Sequence, residues 1–252
     1  MIPNFTIGSR TISAYMICTL IGIFAAGIVT LKNAEKKGNS ELLTVLLWSA
    51  PGVIIGGHLL FAVTNIKYII KAIIQGVGFF SVLSYFSGNV FYGGMLGGIL
   101  SSVLYCKLNH IDCKKYIDDA ALFIPLFHFF GRIGCFLSGC CYGMECDIGF
   151  VYRYSLIESA NHVMRFPIQL VEAAGNLVIF VVLYTLYKTQ QLQNRLLYQY
   201  FLMYSILRFT TEFFRGDAYR GFLFSLSTSQ IISIVLFIIG IYFLVCSPKK
   251  DY

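Results

Sequence analysis

Seven stretches of the chain, residues 12–31, 44–65, 91–108, 118–137, 168–188, 197–214 and 224–246, are each 18 to 23 residues long and predominantly apolar. About 20 such residues in helical form cross the ~30 Å hydrocarbon core of a bilayer. Hydrocarbon offers no water to backbone N–H and C=O groups, so a chain of this kind satisfies them within helices. The expected fold class is therefore all-α, a polytopic membrane protein of about seven transmembrane helices, with residues 1–252 forming one domain. Composition agrees: 57% of residues are hydrophobic and 12% charged, against roughly 25% charged in soluble domains. The first run, Ile12 to Leu31, is long for a signal-peptide core and lacks a small-residue cleavage site, so it is read as a retained span. Residues 67–86 are ambiguous between an interfacial and a re-entrant segment, because Lys67 and Lys71 mark the first half and the second half is apolar.

The net charge of +7 does not point to nucleic acid, because the basic residues lie between apolar runs rather than on one accessible face. They set orientation instead. Lys32, Lys36 and Lys37, then Lys107, Lys114 and Lys115, then Lys188 and Arg195, and finally Lys249 and Lys250 fall on one side, which the positive-inside rule makes cytoplasmic. The N-terminus is then outside and the C-terminus inside. With a single Trp beside 17 Tyr, interfacial anchoring falls mostly to tyrosine.

Ionisable groups inside spans are costly, about 2.5–3.5 kcal/mol for a central arginine on insertion scales, so each needs a reason. Arg132 sits in HFFGRIGCFLSGCCYG and Arg208 in LMYSILRFTTEFFRGD, both toward the outer end of their runs. Arg208, Glu212 and Arg215 are spaced i, i+4, i+7, which places them on one helix face with a net positive charge. Such a face suits an ion-pair ladder anchoring a helix end or a bound anion. Arg132 at similar depth, flanked by Gly131 and Gly134, favours the anion, because arginine clasps phosphate in bidentate fashion. The phosphate most accessible to such a site belongs to a phospholipid head group.

Gly93 to Gly97, Gly94 to Gly98 and Gly52 to Gly56 are small-xxx-small pairs. They suit tight helix packing, or else space for a lipid into which Tyr92 projects its hydroxyl. Cys135, Cys140, Cys141 and Cys146 do not follow the C-x2-C spacing of zinc pairs and have no histidine at ligand spacing, so neither metal nor other cofactor is expected. A packing role and a covalent role near Arg132 both stay open for these thiols. His58, His128 and His162 have no Ser or Cys partner at readable spacing, which argues against a hydrolase triad.

Taken in order, these motifs resemble the prolipoprotein diacylglyceryl transferases along nearly the whole chain. Ser13-Ala14-Tyr15 is similar to the family's opening motif, and Pro51 to Ala62 to its glycine motif, with His58 where an arginine is usual. Asp118 stands fourteen residues before Arg132, and Arg165 to Glu172 resembles the Pro-Ser-Gln-Leu-Tyr-Glu motif. Arg208-x3-Glu212-Phe-Phe-Arg215-x-Asp217 and Leu226 to Gln230 match the family's end.

The resemblance implies a seven-helix enzyme of the bacterial cytoplasmic membrane. It would move the diacylglyceryl group of phosphatidylglycerol to the lipobox cysteine thiol of a preprolipoprotein signal peptide and release glycerol phosphate. Arg132, Arg208, Glu212 and Tyr92 are then the expected catalytic residues. Arg132 would hold phosphate, Arg208 would stabilise the leaving group and Glu212 would orient Arg208. Tyr15, Gly93, Gly94, Gly134 and Arg215 join Arg132 in binding lipid.

Two departures stand out. The family's Phe-His-Gly-Gly is Phe91-Tyr92-Gly93-Gly94 here, and its Asn, Asn and Glu after the arginine are Cys135, Ser138 and Cys140. The alternatives are a related acyl or glyceryl transferase with another acceptor, and a non-catalytic phospholipid-binding or transport protein.

Overall fold

The apolar runs fold as helices in a computed structural model of the protein. The structure describes residues 3–7, 10–76, 78, 90–155, 157–217, 222–223 and 225–246. Its helices are α1 (Ala14–Lys36), α2 (Leu42–Thr64), α3 (Ile66–Ile74), α4 (Phe91–Leu108), α5 (Lys114–Ser138), α6 (Ile168–Lys188), α7 (Leu196–Thr211) and α8 (Thr228–Cys246). Three short antiparallel hairpins accompany them: β1 (Asn4–Ile7) with β2 (Arg10–Ser13), β3 (Glu145–Val151) with β4 (Met164–Arg165), and β5 (Phe222–Leu223) with β6 (Leu226–Ser227).

Five helices, Ala14–Lys36, Leu42–Thr64, Tyr116–Ser138, Ile168–Lys188 and Thr228–Cys246, are long and apolar enough to cross a membrane. The shorter α4 and α7, which the sequence reads as two further spans, do not meet that measure. Of the ambiguous 67–86 segment, residues 67–74 lie in α3, and most of its apolar half falls outside the described residues.

Two compact units result, Met1–Asn33 with Ile117–Tyr252, and Ala34–Tyr116. In the second, α2 and α4 pack antiparallel through glycine. A Cβ added at Gly56 would meet the Gly93 carbonyl, and one added at Gly93 would strike the Gly56 carbonyl and lie 2.6 Å from Leu60 Cβ. The missing side chains thus let two backbones approach, as small residues do where lipid provides no hydrophobic drive for helix association. Ser101 extends the seam by donating to the Trp48 carbonyl at 2.6 Å, and the Trp48 and Tyr105 rings stack at 5.4 Å. The space beside Gly93 and Gly94 is occupied by α2, so the packing reading of this motif accounts for what is observed and the lipid-space reading of these two glycines does not.

In the first unit, polar clamps tie helix ends. The Asp118 carboxylate on α5 accepts from the backbone N–H groups of Asn194 at 2.7 Å and Leu196 at 3.1 Å. It thereby supplies the cap and the negative charge that the start of α7 lacks locally. The next residue, Asp119, accepts from the Tyr187 hydroxyl at 2.5 Å, and Lys188 donates to the Asn33 side chain at 2.6 Å. At the other end of α5, Gly134 lets α1 approach, since a Cβ there would lie 3.1 Å from both Cys18 Cβ and the Tyr15 ring.

Replacing Gly56 with leucine should destabilise the protein by at least the ~1–3 kcal/mol typical of overpacking, measured by denaturant unfolding in detergent micelles. Gly27→Leu, at a position with nothing within 4 Å of an added Cβ, should leave the midpoint nearly unchanged. Equal effects of the two changes would refute the glycine seam.

Candidate functional site

Four charged side chains meet within the first unit, contributed by three helices. Arg132 of α5, Glu172 of α6, Arg208 of α7 and Glu212 just beyond α7 are 7%, 3%, 4% and 4% exposed, so each charge depends on its partners rather than on water. Glu172 is the hub. One of its oxygens lies 2.6 Å from Arg132 Nε, and the other lies 3.3 Å from Arg208 Nη1 and accepts from the Thr211 hydroxyl at 3.1 Å. Glu212 sits 2.5 Å from the same Arg208 Nη1, an i,i+4 pair as the spacing predicts, and Arg208 Nη2 donates to Ser229 of α8 at 3.0 Å. Two arginines and two glutamates make the group formally neutral.

The arginines are not equivalent. Arg208 is occupied on both terminal nitrogens by carboxylates and a hydroxyl, its pairing with Glu212 being the one expected from their spacing. Arg132 meets Glu172 through Nε in an ion pair whose N–H is not aligned on the carboxylate. Its two terminal nitrogens have no hydrogen-bond partner among the described residues. They are the half of the guanidinium fork that matches a phosphate.

Other residues singled out from the sequence fall as follows. Tyr15 and Gly134 meet at the α1–α5 contact, and Tyr15 lies within electrostatic reach of Arg132. Arg215 does not share a helix face with Arg208 and Glu212. The helix ends at Thr211, a 3-10 turn covers Glu212–Phe214, and Arg215 is extended, with its guanidinium clasping Asp217 at 2.8 and 2.6 Å. The expected net positive face is thus cancelled by Asp217 and Glu172. Tyr92, buried at the start of α4, and Gly93 and Gly94 belong to the second unit. His128 packs its ring 5.1 Å from that of Tyr204.

The connection after α5 folds back over the helix end. Its backbone pairs with the segment after α7, since Gly216 N–H donates to the Tyr142 carbonyl at 3.0 Å and Met144 N–H to the Phe214 carbonyl at 2.9 Å. Arg165 organises the rest, donating to the Ser159 carbonyl at 2.6 Å and lying 4.3 Å above the Tyr142 ring. Gln169 donates to the Cys140 carbonyl at 2.8 Å and to the Tyr152 hydroxyl at 2.9 Å, and burial nonetheless pushes that phenol up to about 12. The same fold-back gathers three thiols, Cys135, Cys140 and Cys141, within 4.8 Å of one another. Cys141 is drawn well below the ordinary thiol range by the neighbouring Cys135 and Cys140 thiols, with Arg215 and Arg132 adding to the effect, and the Cys140 thiol donates to the Cys135 carbonyl at 3.7 Å.

The family profile for prolipoprotein diacylglyceryl transferase matches residues 4–246. The chain belongs to the prolipoprotein diacylglyceryl transferase family. Among its relatives, a phosphatidylglycerol–prolipoprotein diacylglyceryl transferase of Clostridium tetani is 33% identical over 244 residues, covering 94% of each chain. Enzymes of the same name from Campylobacter hominis and Helicobacter hepaticus are 32% and 30% identical, covering 90% and 93% of this chain and 82% of each relative.

Within this family member, sequence reasoning overlooked Glu172 as the hub, together with Thr211 and Ser229. A signal existed for Glu172: it is the one acidic residue in the apolar run 168–188, and an intramembrane carboxylate calls for a named cation. Thr211 and Ser229 carry no such signal, because isolated hydroxyls are common in membrane helices.

Glu172→Gln leaves two buried guanidiniums short of a counter-charge and should cost about 3–5 kcal/mol, the range for breaking a buried ion pair. The measurement is unfolding in micelles, and a second change, Arg132→Gln, should restore part of the loss. Wild-type stability in the single variant would remove Glu172 from its central place.

Proposed function

We propose that this protein transfers the diacylglyceryl group of phosphatidylglycerol to the thiol of a lipobox cysteine in a preprolipoprotein signal peptide, in the bacterial cytoplasmic membrane. The supporting observation is Arg132, a buried arginine whose Nε meets Glu172 and whose terminal nitrogens have no hydrogen-bond partner among the described residues. A phosphodiester offers two non-bridging oxygens at the matching spacing. The names of the relatives supply the two substrates.

In the reaction read here, the acceptor sulfur forms a bond to the terminal glyceryl carbon and the C–O bond to phosphate breaks. Glycerol phosphate leaves with the electron pair, and the thiol proton passes to a base. Arg132 touches the phosphate and neutralises charge on the departing group. Arg208 and Glu212 act as positioning residues, holding Glu172 so that Arg132 keeps its orientation. Tyr15 and Gly134 border the lipid, and Arg215 shapes the adjoining segment through Asp217. Tyr92 takes the place of the family's histidine as the proposed proton acceptor, a role that rests on the resemblance alone. In this reading α4 and α7 complete seven crossings, the N-terminus lies outside, and Arg132 and Arg208 sit in the outer leaflet.

Membranes carrying the protein, supplied with radiolabelled phosphatidylglycerol and a lipobox peptide, should yield a lipidated peptide. Arg132→Ala should lower the rate by about 10²–10³-fold, as removal of one preorganised donor does, and Arg132→Lys should recover little because the fork is lost. Tyr92→Phe should cost roughly 10²-fold if the phenol takes the proton. Undiminished labelling with Arg132→Ala would sink the phosphate assignment, and no product from wild-type protein that binds the lipid would sink the activity.

A further inference from the structure

Three cysteines that the proposed transfer does not use converge at the end of α5. Cys135 lies in the last turn of the helix and is buried, while Cys140 and Cys141 are half-buried in the returning chain. The return is made by two residues in the left-handed region, Gly139 at φ 73° and Cys141 at φ 54°. Cys140 N–H donates to the Cys135 carbonyl at 3.2 Å, and the backbone bonds from Gly216 and Met144 hold the segment down. We propose that Cys135, Cys140 and Cys141 form a binding site for one thiophilic d10 metal ion, zinc(II) or copper(I), held by three thiolates.

The distances allow it. Sulfurs at ~2.3 Å from a tetrahedral zinc stand about 3.8 Å apart. The three sulfurs already lie within 4.8 Å of one another, so side-chain rotation closes the set without moving the helix. In sequence the three cysteines lack C-x2-C spacing and a histidine at ligand spacing, which argued against a metal. The positive φ of Cys141 turns its sulfur back toward that of Cys140. Soft thiolate donors select zinc and copper(I) over the hard cations. Three thiolates leave a complex with net charge −1 around a divalent ion or −2 around a monovalent one. Arg132 and Arg215, each already paired with a carboxylate, lie within electrostatic reach of Cys141 and lower the cost of negative charge there without cancelling it. A disulfide, by contrast, joins two sulfurs and strands the third.

The test uses the full-length protein, purified in detergent under reducing, anaerobic conditions and titrated with cobalt(II) as a spectroscopic stand-in for zinc. One equivalent should bind with a thiolate-to-cobalt charge-transfer band that zinc(II) bleaches. The band should be lost in Cys135→Ser, Cys140→Ser and Cys141→Ser and kept in Cys146→Ser and Cys246→Ser. Wild-type protein alone provides a second reading, since bound zinc should shield three of the eight cysteines from maleimide, counted by intact mass. Absence of the band, its persistence in the triple variant, or a disulfide joining two of the three in acid-quenched membranes would overturn the proposal. None of these readouts depends on lipid transfer, so loss of that activity and loss of the metal site are separately visible.

Discussion

One carboxylate placed between two guanidiniums is what allows the first unit to exist as a membrane bundle. Arg132 and Arg208 come from different helices, and neither is stable alone in a low-dielectric interior. Glu172 answers both, at 2.6 and 3.3 Å, and so joins α5, α6 and α7 through a single residue. Glu212 adds the fourth charge, and Ser229 brings in α8. Stability and site are therefore the same object, because the ion pairs that make burial tolerable also fix the direction of Arg132.

The two units solve helix association differently. In Ala34–Tyr116, α2 and α4 approach through backbone contact at Gly56 and Gly93, an interaction of shape with little directionality. In the first unit, association is carried by polar groups from well-separated parts of the sequence: Asp118 with the start of α7, Asp119 with Tyr187, and Asn33 with Lys188. Polar clamps specify one register where close packing tolerates several. A unit that must hold a guanidinium at a defined angle gains from the more exacting kind.

What the sequence made legible follows from which interactions are local. Apolar length located the helices, with α7 ending earlier than the run it belongs to because the chain tightens into a 3-10 turn at Glu212. The Arg208–Glu212 pair was readable from its i,i+4 spacing. Arg215 was misread by the same periodicity, which holds only while the helix does. Glu172 stands 40 residues from both Arg132 and Glu212 and 36 from Arg208, so no spacing rule links them. The three thiols were illegible for a third reason: their meeting depends on a left-handed residue at Cys141, a conformation that sequence alone does not announce for cysteine.

A neutral charge set changes how the proposed lipid site discriminates. An excess of positive charge would hold any anion tightly, including the product. Here the fixed charges cancel, and in the proposed site attraction would come from the terminal nitrogens of one guanidinium, which is short-range and directional. A phosphodiester carries one negative charge, and the glycerol phosphate released from it carries about two. In the proposed reaction Arg132 would therefore interact more strongly as the C–O bond breaks than with bound lipid, which is the differential that accelerates a reaction rather than merely tightening binding. Glu172 would limit the gain in the other direction, since its own charge on Arg132 Nε weakens the proposed hold on the product and would let it leave.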